Sequence, residues 1–416
     1  MPTTDGTSVI RYHLNALFDL ELGRYSTAGV ERAAAEMSVL FLPCGTAGDE
    51  IVFDVKVDDS YLSYLSGYGL LASGVGIHFT EENGIRQGDA IAEFWGWNSF
   101  AAAEAGPAAQ SGHPPVDVVA EVNGRRFCSA LMQKYGTGVP GSHFFSDAVS
   151  FDEYLRSSDV DFPLVIKPAF GSSGYGLIIL MDHSGYLTHA SLIDSYCSHG
   201  GFVAEPWCTR IVDIGSAALI LPDGSVGNVR MHRQLINRYG AFYGIAIDSC
   251  DPVIGSWGEE VAAVTERYGR EAAASGYFGP LGIDSFVYHT AAGKERLAAG
   301  IEINGRYTMG YLAHRIRNKI ARDRCMMMRL AGRKRCRLPE TCKQFDDLMG
   351  NNRYDPVDGK GIILLTPPRA RYKGQWRQPQ QNVFVLVAPD GNHLEKLDRF
   401  LLSMIHRQDM SDAYSC

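Results

Sequence analysis

Apolar residues along this chain come in short runs set off by glycine, proline and aspartate, with helical repeats between them. Val39–Pro43 and Ile51–Val55 are runs of strand length, bounded as buried strands tend to be. Asp59–Gly67 places its apolar residues at helical spacing instead. Such alternation predicts an α/β layer with a partly parallel sheet over the first third. Ala101–Pro115, rich in alanine, glycine and proline, reads as a loop or linker.

From Val118 onward the texture changes. Arg126–Tyr135 reads as an amphipathic helix ending at a glycine-rich turn, and Phe151–Arg156 as a short helix. Strands are expected at Gly201–Glu205, Ala217–Leu221, Val226–Met231, Gly282–His289 and Ile301–Asn304, and a long helix at Gly258–Ser275. His314–Arg337, dense in arginine and lysine, reads as a solvated helix face followed by a loop, with Met326–Met328 in the core. A small tail follows: strands Gly361–Leu365 and Val383–Ala388, then helix Leu394–His406.

The chain has 416 residues, enough for two or three packed subdomains. Apolar (45%) and aromatic (11%) shares are those of a globular protein. A net charge of −8 argues against nucleic acid as the main partner. The nine cysteines contain no CxxC pair, which fits reduced thiols better than a disulfide framework or a zinc site. Neither a signal peptide nor an apolar run of roughly 20 residues is legible, so a soluble, cytoplasmic protein without membrane partners is expected.

Three segments carry chemistry. In Phe162–Leu180 an apolar run delivers Lys167, a loop with Gly171, Ser172, Ser173, Gly174 and Gly176 follows, and a second run returns. Glycines let backbone N–H groups converge on phosphate oxygens, and the lysine adds a point charge. The alternative is a plain β-hairpin with a glycine turn. In Ala299–Thr308, strand periodicity puts Glu302, Asn304 and Arg306 on one face with Ile301 and Ile303 behind. A carboxylate beside an amide oxygen suits Mg²⁺, and Arg306 can hold a transferring phosphoryl group. Asp284, on a strand that can pair antiparallel with this one across a turn at Gly293, would complete the metal set. The alternative is a structural salt bridge between Glu302 and Arg306. Between these lies a strand ending at Glu205 and breaking at Pro206. Backbone groups of Pro206, Trp207 and Cys208 would be free there to meet an adenine edge, and Asp213 the ribose.

Order and spacing of these segments resemble the ATP-grasp superfamily from about Asn123 to Thr308. The matching residues are Asn123 and the helix after it, Gly138–Pro140, Lys167 with its glycine loop, Glu205, Asp284, and Glu302-Ile-Asn-Gly-Arg306. The early phosphate-touching lysine of the family is replaced by Arg125 or Arg126, which the resemblance does not tell apart; Arg126 stands among the candidate nucleotide-binding residues. The resemblance implies an α/β (α+β) fold with ATP and Mg²⁺ (or Mn²⁺) gripped between two α+β subdomains under the glycine loop. Four segments are expected: an N-terminal α/β layer (1–122), two ATP-grasp subdomains (123–205 and 206–338) and a small α/β tail (339–416).

The reaction so implied activates a carboxylate as an acyl phosphate and passes it to an amine, releasing ADP and phosphate. A small-molecule kinase or a non-catalytic nucleotide-binding module are the alternatives. Arg230 and Arg233, near His232 and Gln234, are candidates to hold the substrate carboxylate, and His232 could be a base. Trp95-Gly-Trp97 would line a pocket or a domain interface, the latter favoured. The layout is also similar to stand-alone peptide ligases of natural-product pathways, such as the pheganomycin type. That likeness implies amino-acid or peptide substrates, and a homodimer is an option.

Overall fold

In this computed structural model, residues 9–83, 90–157, 160–171, 176–237, 240–334 and 336–405 are described. Strands β1 (Ile10–His13), β2 (Glu50–Phe53), β3 (Gly76–Phe79) and β4 (Ile91–Phe94) form a fully parallel sheet in the order β3-β2-β1-β4. The expected strand at Val39–Pro43 is instead part of a 3-10 helix, Ser38–Cys44, buried at all seven positions. It is packed between β2 and the Met309–Ile320 helix, so it is apolar on every side. Pro43 has no N–H for a central ladder, a second reason the run is no strand. The expected linker at 101–115 also gives way. Asn98 caps the Ser99–Ala105 helix by accepting from Ala101 N at 3.0 Å, and Pro107–Gly112 follows as a 3-10 turn.

Strands β5 (His143–Phe145), β6 (Leu164–Pro168), β7 (Ile178–Leu180) and β8 (Phe202–Pro206) form a second, antiparallel sheet in the order β5-β8-β6-β7. Phe151 and Tyr196, from the helices Ala148–Leu155 and Gly185–Ser198, fill its covered face with Phe145 and Phe202.

The third sheet has eight strands. They are β9 (Thr209–Ile220), β10 (Arg230–Ile236), β11 (Phe242–Ile247), β12 (Gly279–His289), β13 (Glu295–Asn304), β14 (Cys325–Gly332), β15 (Gly361–Leu364) and, after a ribbon of β16 (Ala370–Tyr372) and β17 (Gln375–Arg377), β18 (Gln381–Ala388). Their order is β13-β12-β9-β10-β11-β14-β18-β15. The C-terminal strands β15 and β18 therefore continue the same sheet as β9–β14. The basic stretch is a helix, Met309–Ile320, followed by β14 rather than a loop, with Met326 and Met328 fully buried in that strand. The Pro252–Ala274 helix begins six residues before the expected Gly258, because Asp251 caps it and Pro252 opens it.

Phe41 joins the layers. Its ring meets Trp95 of the β4 loop at 6.0 Å and Tyr307, beyond β13, edge-on at 5.3 Å. Burial of such a ring is worth about 1.5–3 kcal/mol. Tyr307 N also donates to Trp95 O at 2.8 Å, seating the end of β13 against the N-terminal layer. No described helix is long and apolar enough to cross a membrane.

Candidate active site

A cleft of about 200 Å³ opens where β6, β9, β10, β12 and β13 converge. Its polar wall is built by strand register. His232 pairs with Gly215, Gly215 with Asp284, and Asp284 with Glu302, so these positions form one row across four strands. Along β13, Ile301 and Ile303 are buried, whereas Glu302 and Asn304 are partly open to the cleft. Gly293 turns β12 into β13 with φ +74°, a value that glycine adopts without strain.

Charges in this wall are paired. Lys167 on β6, 7% exposed, forms an ion pair with Glu205 of the neighbouring β8, 2% exposed. Arg125, the first residue of the Arg125–Tyr135 helix, pairs with Glu302 at 2.7 Å and donates to Pro168 O. Arg126 does not reach the cleft. One position on turns a helical side chain by about 100°, and this one is exposed to solvent. The expectation for Arg126 is corrected accordingly: Arg125 occupies that place. Gly171 lines the cleft, while Ser172, Ser173 and Gly174 lie outside the described residues.

Asp284 is the electrostatic centre. Burial, then the charge of Glu302, pushes its carboxyl up to about 7. Gln234 donates to its Oδ1 at 2.6 Å and Asn304 to its Oδ2 at 3.3 Å. Arg306 donates to Asn304 Oδ1 at 2.9 Å and does not pair with Glu302, so the salt-bridge alternative for this strand fails. The guanidinium grips Asp19, from the short helix after β1, with two bonds of 2.8 Å. Among the described residues no three His, Cys, Asp or Glu side chains gather as a metal site. The set on offer is two carboxylates and an amide. Two hard oxygen-bearing carboxyls and an amide side by side fit a hard cation that takes its remaining ligands from phosphate and water.

At the strand break, the structure corrects one expectation. Trp207 lines the cleft, but its N–H donates to Pro163 O at 2.7 Å and is not free. Pro206 ends β8, and Cys208 Sγ lies 3.6 Å from Pro206 O. Asp213 in the cleft wall pairs with Arg210 at 2.7 Å, whose guanidinium stacks on Phe286 at 4.1 Å.

The two expected arginines of β10 stand on opposite faces of the strand. Arg233 points to the face away from the cleft, donating to Asp251 Oδ1 at 2.8 Å, and so clamps the start of the Pro252–Ala274 helix. Arg230, at the strand's first position, is exposed. His232 does line the cleft, and burial alone lowers its pKa to about 4. Its ring fills the space left by two glycines: a Cβ on Gly215 or Gly310 would lie 2.3 or 2.1 Å from it. Its Nδ1 is buried without a hydrogen bond, as is Nε2 of His314, whose ring lies 5.4 Å away. Sequence reasoning missed Asp19 and Arg210 altogether. Asp19 could have been sought at the carboxyl end of the first strand, where open α/β layers place functional loops.

No family model and no curated protein matches this sequence. Solved structures do match in fold. Biotin carboxylase from Campylobacter jejuni, in its β-γ-ATP complex, aligns with a TM-score of 0.56 at 13% identity, covering 96% of this chain and 92% of that one. The purK N5-carboxyaminoimidazole ribonucleotide synthetase, an ADP complex, gives 0.53 at 12% identity over 95% and 96%. Carboxyaminoimidazole ribonucleotide synthase from Aspergillus clavatus, with ATP, gives 0.51 at 11% identity over 95% and 98%. The chain has the ATP-grasp fold. At these identities the likeness establishes architecture and leaves the activity to be argued from the cleft.

Proposed function

We propose that this ATP-grasp protein is an ATP- and Mg²⁺-dependent ligase that joins a carboxylate to an amine through an acyl phosphate, releasing ADP and phosphate. One observation carries the reading: Asp284 and Glu302 stand opposite each other in register, beside Asn304 and Arg306, in the same cleft as Lys167. Neighbours of the same fold were solved with ATP or ADP. In this reading Lys167, Arg125 and the 171–174 loop hold phosphates, while Glu205 to Cys208 and Asp213 border the adenosine. Asp284, Glu302 and Asn304 would hold Mg²⁺, which supplies neutralisation of phosphate charge.

The substrate carboxylate oxygen attacks the γ-phosphorus, and the bond to the ADP oxygen breaks. The amine nitrogen then attacks the acyl carbon, phosphate leaves, and the amine proton needs an acceptor. His232, kept neutral by burial, is the imidazole lining the cleft that can take it. Arg306 faces the charge that develops, and Arg230, at the start of β10, is the remaining β10 arginine for a substrate carboxylate. A peptide-like amide, a natural-product substrate, a cytoplasmic setting and the four-segment division belong to the same proposal. Their support is the sequence layout alone.

The test is ATP turnover with Mg²⁺ and pooled amino acids and small acids, reading nucleotides, phosphate and product masses. ADP, phosphate and a mass of two substrates minus water support the ligase. A phosphorylated product replaces it with a kinase, and nucleotide binding with no turnover in any mixture replaces it with a binding module.

A further inference from the structure

Arg306 also stands in the wall of a second, larger cavity of about 640 Å³. One side of this cavity is β4, the edge strand of the N-terminal sheet, with the loop after it. The other sides are the end of β9 with its turn, the segment before β12 and the segment after β13. The volume falls in the range of sites for small molecules, roughly 300–1,000 Å³. Aromatic rings dominate the lining. Trp95, Trp97 and Tyr307 are each under a tenth exposed, and the Trp97 ring stacks flat on His113 with centroids 3.7 Å apart. His113 is held in place by a 2.8 Å contact with Ala92 O, and burial lowers its pKa, so it adds a neutral face.

One carboxyl group interrupts this apolar surface. Glu93 sits on β4 in the cavity wall, and its Oε2 accepts from Tyr307 Oη at 3.1 Å. No other hydrogen bond to Glu93 comes from the described residues. The cation nearest in the lining, Arg306, is already committed to Asp19 and Asn304. Desolvation raises the Glu93 carboxyl, and the Tyr307 hydroxyl offsets this only in part. A second carboxylate placed beside Glu93 in this wall is disfavoured. The cavity favours a group that brings both a positive charge and N–H donors, and aromatic faces attract the same cation.

We infer that this cavity binds an amine: a ligand with a primary ammonium seated on Glu93 and a flat or aromatic body against Trp95, Trp97 and Tyr307. That this amine is the acyl acceptor rests on the ligase reading above; that the cavity binds amines does not. Arg306 links the two, since the guanidinium facing the cleft on one side closes the cavity on the other.

The experiment is calorimetric titration of the full chain with 2-phenylethylamine, 2-phenylethanol and 3-phenylpropionate, with MgATP binding measured in parallel. The amine is expected to bind saturably and at least about tenfold tighter than the alcohol, with no binding of the carboxylate. E93Q should bring the amine down to the level of the alcohol, and Ala105→Phe, which fills the cavity wall, should abolish both. MgATP binding should be unchanged in both variants. An amine that binds no better than the alcohol in the wild-type chain overturns the inference, as does unaltered amine binding in a folded E93Q. Should E93Q fail to fold, the wild-type comparison and A105F decide. Loss of MgATP binding in the wild type would instead remove the ligase reading and leave the amine site standing.

Discussion

Arg306 and Asp19, 287 residues apart in sequence, face each other through two hydrogen bonds of 2.8 Å, and each side chain is roughly nine-tenths buried. The pair fastens the segment after β13, in the cleft wall, to the N-terminal layer. Because the same guanidinium bonds Asn304 at 2.9 Å, which bonds Asp284 at 3.3 Å, the layer's position is felt at the centre of the acidic set.

Asp19→Asn keeps the shape of the side chain but removes the charge. A buried guanidinium losing its carboxylate is destabilised by about 3–5 kcal/mol when the partner is deleted, and by less when an acceptor remains. Turnover is expected to fall about 10- to 100-fold as Arg306 loses its fixed orientation. Denaturant unfolding together with ATP turnover checks this; wild-type turnover in the variant would show that Asp19 is structural only.

Glu302 faces the cleft, a position where Glu302→Ala is expected to leave the fold intact. The ion pair with Arg125, 8% exposed, changes that expectation. Alanine strands a buried guanidinium, so Glu302→Gln is the cleaner probe of chemistry. It should reduce Mg-ATP turnover at least about 1,000-fold, in line with loss of preorganised charge at a phosphoryl site. Alanine should add a stability loss of a few kcal/mol. Full activity in the glutamine variant would remove the acidic pair from the mechanism.

How far these contacts could be read in advance depends on their range. Period-two patterning placed Ile301 and Ile303 inward and Glu302 and Asn304 outward, and helical spacing placed the Asp59–Gly67 helix, because both are local properties of the chain. Val39–Pro43 reads as a strand because burial on all sides makes a short helix and a buried strand look alike in sequence. Arg233 was misassigned because strand parity alone does not say which face carries the cleft, and Asp251 claims it on the other. The end of the first strand points to the neighbourhood of Asp19, but its pairing with Arg306 is not legible, because the partner lies hundreds of residues away where no spacing rule reaches.

Buried histidines set the acid limit of the fold. His232 is lowered to about 4 and His314 to about 2, both by burial first, from 6.5. At these two histidines the unfolded chain therefore binds more protons than the folded one below about pH 6.5, and the stability they contribute is lost as pH falls towards 4. For His232 alone the effect is on the order of 3 kcal/mol. Raised carboxyls such as Asp284 work in the opposite direction, so the difference between wild type and His232→Gln isolates the histidine. Unfolding free energy measured from pH 7 to pH 4 should fall less steeply in the variant, by about one proton's slope. Parallel curves would show that His232 does not titrate on unfolding.

Metal binding should compete with a proton at Asp284. Its carboxyl is raised from 3.8 to about 7, so between those values the folded chain holds a proton that the unfolded chain has released. Stability from this group is therefore lost as pH rises through that window, and a cation that replaces the proton restores it. Mg²⁺ with ADP should raise the melting temperature more at pH 8 than at pH 6, and the difference should shrink in Asp284→Asn, which has no proton to displace. Domains of roughly 150–250 residues shift by about 2–4 °C per kcal/mol, and a larger chain by less, so replicate thermal scans read the difference. An Mg²⁺ response independent of pH would place the ion elsewhere than on Asp284.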